Sequence, residues 1–392
     1  MCSTHKFPAG DALQKKMKIV KQCMKSRSIN FPFSPGDTIG IIPKNKSEEV
    51  DFIITHLGLD EKADLGYSLS LDKGVKGAKI PPYIPIKGTL REVLTNCVEI
   101  RALLKKVSNL KLFILTLSKY TKDDKERKTL EYLCSKEGSE MYNSHVLNKR
   151  LCLLDLFSIF KTCKPPIAVV LTHLPRLLPR PYSIANSNLK DPKVLKVYIS
   201  LENGLKGLIL ENRNSTKNAT IFPIYLRQNI SGFVMPNVET PLLLLGPGTG
   251  VAPFIGFLEQ KELIMAKDHT AKVGCSKLYF GCRNPKLDFI YEKELNHFKD
   301  KGVLNKLRTT FSRSNFFYSL QDALIQDGLE IVQFIENGAS LFVCGDVKYM
   351  AEQIKETLVN CFVQYGDKRH DEAEKYVCNL QKNKRYIVDV WS

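Results

Sequence analysis

Apolar residues in the first half of the chain recur mainly at helical spacing. One helix is expected with Ser47 as its N-cap, and a second is expected to begin at the capping box Thr89-Leu-Arg-Glu92. The same spacing continues to about Leu178 and predicts three further helices, over Lys122–Cys134, Val146–Phe160 and Pro166–Leu174. Residues 66–87 are rich in glycine, proline and lysine and are therefore expected to form a loop.

Short apolar and β-branched runs lie on either side of this helical block. The runs Thr38–Ile42 and Val194–Leu201 predict strands, whereas the polar, asparagine-rich residues 209–232 give no assignment. After Pro241 four further strands are predicted, at Leu242–Leu245, Leu278–Phe280, Arg308–Phe311 and Leu341–Val343. Helical stretches follow several of them, at Ala252–Ala266, Ser319–Gln326 and Tyr349–Val363. This alternation predicts a doubly wound parallel sheet.

The composition is that of a globular protein with an excess of positive charge. The 392 residues are 43% hydrophobic and 25% charged, and 58 Lys+Arg against 41 Asp+Glu leave a net charge of +17. This length suggests two or three domains. The lysines are scattered among acidic residues, as in Tyr120–Lys128, which argues against a nucleic-acid-binding arm. The excess charge suits a polyanionic cofactor or an acidic protein partner.

The sequence shows no pattern typical of membrane insertion, secretion or metal binding. The longest apolar stretches are interrupted by Asp155 or by glycine and proline, and the lysine-rich start lacks the apolar core of a secretory signal. The 11 cysteines include no C-x-x-C pair, so we expect neither a disulfide framework nor a metal site. These features favour a reducing, cytoplasmic location.

Four of the predicted strands end in glycine or polar residues: Gly246-Pro-Gly-Thr-Gly250, Gly281-Cys-Arg283, Ser312-Arg313 and Cys344-Gly-Asp346. In a doubly wound sheet, ligands bind beyond the carboxyl ends of the strands, and glycine allows the backbone to approach a pyrophosphate. Arg283 and Arg313 are candidate cations for a second phosphate. A glycine-rich turn alone is often only a tight connection, but the four strand ends together favour a nucleotide site.

Two further segments offer groups that a flavin requires. Arg180-Pro-Tyr-Ser183 combines a cation for phosphate, an aromatic ring and a hydroxyl, although such a short run is also common in purely structural settings. The single tryptophan, Trp391, is next to the last residue. It is expected either to pack in a core or to cover a planar ligand.

In their order along the chain, these motifs resemble the NADPH/FAD half of the diflavin oxidoreductases, a ferredoxin–NADP reductase-like module. The matching segments also include Pro35-Gly-Asp37, Phe311-Ser-Arg313 and Asp389–Ser392. Within that family, the helical insertion is most similar to the methionine synthase reductase branch, through Glu99-Ile-Arg-Ala102 and His173-Leu-Pro-Arg176 among others.

The resemblance implies an antiparallel flavin-binding barrel with a helical insertion, followed by a doubly wound parallel-sheet NADP-binding domain. The expected boundaries are 1–88 for the first part of the barrel, 89–178 for the insertion, 179–236 for the second part of the barrel and 237–392 for the NADPH-binding domain.

The resemblance also implies roles for individual residues. The residues expected to assist hydride transfer from NADPH to FAD are Ser183, Cys344, Asp389 and Trp391. Those expected to bind FAD are Arg180, Pro181, Tyr182, Ser183 and Trp391. Those expected to bind NADPH are Gly246, Gly248, Thr249, Gly250, Arg283, Ser312, Arg313, Tyr318, Gly345 and Asp346.

By the same resemblance, electrons are expected to pass to FMN and then to the cobalamin enzyme methionine synthase, in methionine biosynthesis. Because only 28 residues precede Ile29, FMN is expected only in a domain or flavodoxin-like partner outside this chain. One alternative is a reductase that serves a haem monooxygenase or sulfite reductase.

Another alternative is a non-catalytic descendant that keeps the fold. It draws support from the segment expected to hold the FAD pyrophosphate, of which Lys206-Gly-Leu208 is the nearest remnant. The family's lysine and aspartate for nucleotide binding are replaced by Phe317 and Gln353.

Overall fold

The computed structural model of the chain describes residues 18–25, 32–70, 80–102, 109–149, 151–201, 223–286, 288–312, 319–345 and 348–390. Within them the strands are β1 Lys18–Lys25, β2 Thr38–Ile41, β3 Gly66–Ser68, β4 Lys87–Thr89, β5 Arg180–Ser183, β6 Val194–Leu201, β7 Ile224–Leu226, β8 Leu242–Leu245, β9 Ser276–Cys282, β10 Lys306–Phe311, β11 Ser340–Gly345 and β12 Tyr386–Val390. The helices are α1 Ser47–Leu57, α2 Leu90–Asn96, α3 Leu110–Lys119, α4 Asp124–Cys134, α5 Ser139–Met141, α6 Leu153–Ile159, α7 Ile167–His173, α8 Ala252–Lys267, α9 Glu292–Asp300, α10 Leu320–Gln326, α11 Gly328–Glu336, α12 Lys348–Tyr365 and α13 His370–Lys382.

The described residues form two compact units. The first contains the residues up to Ile41, those from Pro181 to Leu201 and those from Ile224 onward. The second contains Ile42 to Arg180 together with Pro223. The four-part domain division expected from the sequence stays a prediction.

The second unit is built around helices. Its apolar core joins α1, α2, α3, α4, α6 and α7 through buried residues such as Ile53, Phe113 and Phe157. The capping box predicted at α2 is confirmed, because Thr89 accepts a hydrogen bond from the Glu92 N–H and Glu92 accepts one from the Thr89 N–H. The core therefore forms from helices whose boundaries are partly fixed by local capping.

The first unit contains a five-stranded parallel sheet in the order β10-β9-β8-β11-β12. Its first strand, β8, lies in the middle, and the chain adds β9 and β10 on one side before it returns to add β11 and β12 on the other. The strand order therefore reverses between β8 and β11, which is where open α/β sheets bind their ligands.

Helices cover both faces of this sheet, as the doubly wound prediction requires. Leu242 and Leu244 of β8 face the core formed with α8 and α9, whereas Leu243 and Leu245 face the core formed with α10, α11, α12 and α13. All four leucines are fully buried. A continuous apolar strand is what a sheet with two covered faces needs.

Antiparallel sheets make up the rest of the first unit. Strand β1 pairs antiparallel with β6. Strand β2 pairs antiparallel with β7 and borders β5 on its other edge. The predicted combination of antiparallel sheets with a parallel nucleotide-binding sheet is confirmed.

Three local predictions differ from the structure. Lys46, not Ser47, is the N-cap of α1, and its side chain makes no capping hydrogen bond. The helix predicted over 146–160 is two elements, a π-helical turn at Tyr142–Leu147 and α6, which restarts because Asp155 accepts a hydrogen bond from the Cys152 N–H. Strands β3 and β4 pair antiparallel where a loop was expected.

No helix in the described part of the chain is long and apolar enough to span a bilayer.

Candidate active site

The glycine-rich loop after β8 lies at the point where the strand order reverses. A methyl group added at Gly250 would lie 1.9 Å from the carbonyl oxygen of Cys344, so the loop backbone packs directly against the end of β11. Gly248 has φ +58°, a conformation that favours glycine, and no other atom lies within 4 Å of its missing side chain. A short 3-10 turn then leads into α8. The loop thus places half-buried backbone before a helix N-terminus, an arrangement suited to a phosphate group.

Cys344 and Asp389 lie side by side at the ends of β11 and β12, where they are register partners. The side chain of Ser183, at the end of β5, lies close enough to the thiol of Cys344 to favour its thiolate. Cys344 is fully buried and Ser183 is 8% exposed. The three residues therefore form one cluster, although they lie far apart in the sequence.

Burial controls the protonation of this cluster. It raises the pKa of the Cys344 thiol well above its usual value, and the nearby Asp389 carboxylate adds to that rise, while the Ser183 side chain partly opposes it. Burial also raises the pKa of Asp389, whereas the positive charge of Arg227 lowers it. Cys344 is therefore a neutral thiol near neutral pH, a hydrogen-bonding group without charge.

A cavity of about 270 Å³ opens beside this cluster, within the first unit. It is lined by Thr38, Pro181, Tyr182, Ser183, Tyr198, Arg227, Thr249, Ala252, Asp389 and Val390. These residues combine two aromatic rings, three hydroxyls from serine and threonine, one cation and one carboxylate. This mixture of planar apolar surface and a few polar groups suits a ring system that carries polar edges.

An aromatic pair supports one wall of the cavity. The ring of Tyr198 packs on that of Tyr291, with centroids 4.0 Å apart and planes inclined by 35°. Tyr291 is buried and has φ +62°, a backbone conformation that is uncommon for an aromatic residue. The packing around Tyr291 holds this conformation and thereby fixes the surface against which Tyr198 rests.

The structure brings several of the sequence-predicted site residues together. Pro181, Tyr182, Ser183, Thr249 and Asp389 line the cavity. Cys344 joins them through Ser183 and Asp389, and the remaining loop and strand-end glycines, at positions 246, 248, 250 and 345, shape the edge of the same region. The chemical roles expected for these residues remain predictions.

Other predicted residues lie outside the cavity lining. Arg180 forms an ion pair with Glu99 in the second unit. Arg283 forms one with Asp288, with its Nε 2.8 Å from the carboxylate, so this cation already has an acidic partner. Ser312 follows β10 and donates its backbone N–H to the carbonyl of Cys282. Gln353, where the family aspartate was expected, accepts a hydrogen bond from the side-chain amide of Gln321.

Several predictions concern residues outside the described part of the chain. These are the nucleotide-binding candidates Arg313, Tyr318 and Asp346, the terminal Trp391, the Lys206–Leu208 remnant and Phe317.

Sequence reasoning missed five of the cavity residues: Thr38, Tyr198, Arg227, Ala252 and Val390. Thr38 directly follows the quoted Pro35-Gly-Asp37 motif, and Ala252 follows the glycine loop, so their neighbours gave a usable signal. Arg227 lies in the stretch left unassigned, where no sequence signal identified it.

The residues present fit both a flavin ring and a dinucleotide pyrophosphate. The cavity offers Tyr182 as a ring-sized surface next to the hydroxyl of Ser183. The loop residues 246–250 leave open space beside Gly248, and side chains at Gly246 and Gly250 would fill the space that the backbone occupies. This donor set and this steric arrangement agree with FAD and a nicotinamide dinucleotide as ligands.

Two family models match most of the chain. Residues 19–209 match the FAD binding domain, and residues 244–356 match the oxidoreductase NAD-binding domain. The first match contains β5 with Ser183, and the second contains the glycine loop and Cys344. Ser183 and the glycine loop with Cys344 therefore lie in domains of matching type, while the lining residues Arg227 and Asp389 lie outside both matched ranges.

Similar proteins cover the whole module. Methionine synthase reductase of Rattus norvegicus is 32% identical over 410 residues, which is 93% of this chain and 57% of the relative. The Homo sapiens protein of that name is 32% identical over 401 residues, with the same coverage. NADPH–cytochrome P450 reductase of Drosophila melanogaster is 32% identical over 377 residues, 92% of this chain and 53% of the relative.

The chain thus spans a little over half the length of these relatives. Both matched domains and the similarity over more than 90% of this chain agree with the strand order and the site geometry. The chain therefore belongs with the oxidoreductases that join an FAD-binding domain to an NAD-binding domain, and it corresponds to that two-domain module of the relatives above.

Proposed function

We propose that the chain oxidises NADPH and passes the electrons through bound FAD to a one-electron acceptor. The observation that carries this proposal is the shared cavity, in which Tyr182 and Ser183 of the FAD-binding match lie with Thr249 of the NAD-binding match and with Asp389. A reductase needs its two ligands to meet in one water-poor space.

Bound FAD would supply the chemistry, because a flavin accepts two electrons from a nicotinamide and releases them one at a time. The chain's own residues hold and polarise the reacting groups. The glycine loop with Thr249 binds the pyrophosphate, and Tyr182 offers a surface to the flavin ring. Ser183 places a hydroxyl at the cluster, beside the neutral Cys344 thiol.

Asp389 has an electrostatic role in this proposal. As a nicotinamide is oxidised its ring gains positive charge, and a carboxylate in a partly buried cavity stabilises that charge more strongly than one in water. The hydroxyl and thiol beside it add no charge of their own, so the charge within the cluster is that of the carboxylate.

For the physiological acceptor, we propose an FMN-containing domain or flavodoxin-like partner and, beyond it, cobalamin-dependent methionine synthase, in the cytoplasm. Two methionine synthase reductases that share 32% identity with 93% of this chain support this choice. The net charge of +17 also favours docking to an acidic flavoprotein.

A second candidate acceptor is a cytochrome P450, because the Drosophila melanogaster P450 reductase shows the same percentage identity over nearly the same share of the chain. The two candidates differ in the acceptor and not in the cavity. Two assays distinguish these acceptors, both with an FMN domain added in trans. One measures the reduction of cob(II)alamin methionine synthase, and the other measures the reduction of a P450.

The test of the basic proposal is simple. The purified chain is expected to take up FAD, to show the yellow flavin spectrum, and to reduce ferricyanide with NADPH faster than with NADH. A colourless chain that takes up no FAD and reduces no ferricyanide would overturn the proposal in favour of a non-catalytic descendant of the family.

A further inference from the structure

Arg227 gives the cavity a positive charge that the sequence did not predict. Among the described residues that line the cavity it is the one cation, and Asp389 is the one carboxylate. Its side chain is exposed, so it contributes little to a core. Packing therefore does not account for the place of this arginine in the cavity lining.

The backbone of Arg227 is held firmly although its side chain is exposed. Its N–H donates a hydrogen bond of 2.9 Å to the carbonyl of Thr38, which extends the β2–β7 pairing by one position. Two residues later, Asn229 accepts a hydrogen bond from the Phe233 N–H at 3.0 Å and donates one to the Phe233 carbonyl at 3.1 Å. The segment therefore presents Arg227 to the cavity from a fixed position.

The other described side chains of the cavity lining contribute neither a carboxylate nor a cation. Cys344 is the register partner of Asp389 and is a neutral thiol, and Ser183 lies beside that thiol. The two tyrosines of the lining, Tyr182 and Tyr198, contribute aromatic rings and hydroxyl groups. Within the described lining, Arg227 is thus the group that can balance the carboxylate.

We propose that the positive charge of Arg227 balances the carboxylate of Asp389 in the cavity. The same charge stabilises the negative charge that the bound cofactor gains on reduction. This inference rests on the proposed function. A cation in a partly buried cavity favours the more negative state of any ligand beside it, and it favours the ionised carboxylate as well. Arg227 therefore acts through its charge on two groups, the carboxylate of Asp389 and the bound cofactor.

The experiment compares Arg227→Gln with two controls. Arg227→Lys keeps the charge, and Lys272→Gln removes one charge from an exposed loop residue outside the cavity lining. For each FAD-loaded chain, the midpoint potential of FAD and the pH profile of its reduction by NADPH are measured. The FAD content and the thermal unfolding midpoint show whether folding is intact.

Arg227→Gln is expected to lower the FAD midpoint potential and to move the acidic limb of the pH profile upward by roughly half a pH unit or more, because Asp389 then holds its proton more tightly. Arg227→Lys and Lys272→Gln should match the parent. If Arg227→Gln binds FAD with the parent's potential and pH profile, the role of Arg227 is wrong, while the proposed function stands. A parent chain that takes up no FAD overturns the proposed function itself.

If Arg227→Gln loses FAD, the FAD-free chains decide the question. The side-chain carboxyl carbon of Asp389 is then titrated by NMR in the parent and in Arg227→Gln. An upward shift of the Asp389 pKa in the variant supports the electrostatic pairing, and an unchanged pKa contradicts it.

Discussion

Cys344 and Asp389 are register partners on the neighbouring parallel strands β11 and β12. Their side chains therefore lie on the same face of the sheet, at its carboxyl edge. Burial of Cys344 disfavours its thiolate, and the carboxylate of Asp389 beside it disfavours the thiolate further. The pairing of these two strands thus keeps a neutral thiol next to a carboxylate in the candidate site.

The first prediction concerns the thiol. Cys344→Ala should slow the reduction of FAD by NADPH and leave FAD bound, because it removes the polar thiol that lies beside Ser183 and Asp389 at the cluster. The smaller side chain should cost about 1–2 kcal/mol of stability. Stopped-flow absorbance at the flavin band measures the rate.

Cys361→Ala is the matched control for this variant. Cys361 is also buried in the first unit, on α12, but it does not border the cavity. It should lose similar stability and keep the parent's rate. Equal rates for Cys344→Ala and the parent would remove Cys344 from the mechanism.

The second prediction separates activity from stability at Asp389. Because the pKa of Asp389 is raised by burial, the folded chain holds this proton more tightly than the unfolded chain does. The ionised carboxylate therefore lowers stability at pH 7, and this effect disappears as the pH falls below about 3.8, the usual value for aspartate.

Asp389→Asn should accordingly unfold at a slightly higher temperature than the parent at pH 7, by about 1–3 °C, with a smaller difference at pH 4. It should reduce FAD more slowly at both pH values. Differential scanning calorimetry and stopped-flow kinetics check the two effects. A variant that is less stable at pH 7, or as fast as the parent, would contradict this account.

Local patterns predicted several elements in both matched domains. The strand over Val194–Leu201 is confirmed with both ends as predicted, and Leu242–Leu245 likewise coincides with β8. These segments are continuous runs of apolar or β-branched residues, whose structure follows from short-range chemistry. The capping box of α2 is similarly local, since four consecutive residues form it.

The cavity residues that were missed depend on pairing between distant segments. Arg227 reaches the cavity because β7, a strand of three residues, pairs with β2 about 190 residues earlier in the chain. No pattern within residues 224–226 specifies that partner. The third prediction therefore tests a contact of this long-range kind, the one between Gly250 and β11.

Gly250→Ala should disturb the glycine loop strongly. The added carbon would lie 1.9 Å from the carbonyl oxygen of Cys344 and 3.0 Å from the Cα of Gly345, and both of these are backbone atoms that cannot rotate away. We expect affinity for 2′,5′-ADP, a probe of the nucleotide site, to fall at least tenfold, together with a loss of stability of about 2 kcal/mol or more. Isothermal titration calorimetry and urea unfolding measure these quantities.

Gly302→Ala is a control variant, because the added methyl group strains the backbone but contacts no neighbouring atom. Gly302 has φ +71°, and no other atom lies within 4 Å of the position of its missing side chain. It should cost about 1 kcal/mol and leave 2′,5′-ADP binding unchanged. If both variants bind the probe like the parent, close packing of the loop on β11 does not support the nucleotide site.

The last prediction uses a buried lysine at the opposite end of the parallel sheet. Lys261 of α8 is fully buried, and its ammonium donates hydrogen bonds to the carbonyls of Gly274 and Thr240, at 2.7 and 3.3 Å, and to the Ser276 hydroxyl at 3.1 Å. Burial lowers its pKa to about 8, from 10.5. Below pH 8 the folded chain therefore carries a charge that burial penalises, and between pH 8 and 10.5 the unfolded chain binds more protons than the folded one.

Lys261 should consequently make the free energy of unfolding increase between pH 8 and 10.5, by at most about 3 kcal/mol. Lys261→Met leaves two carbonyls without their hydrogen-bond donor, so it should be less stable than the parent. Because it also lacks the contribution that rises with pH, this loss of stability should be larger at pH 9–10 than at pH 7. Lys267→Met, an exposed position on the same helix, should follow the parent at every pH. Urea unfolding at pH 7, 8, 9 and 10 measures the difference in the free energy of unfolding between the parent and Lys261→Met. If this difference stays constant with pH, Lys261 keeps its proton throughout the range.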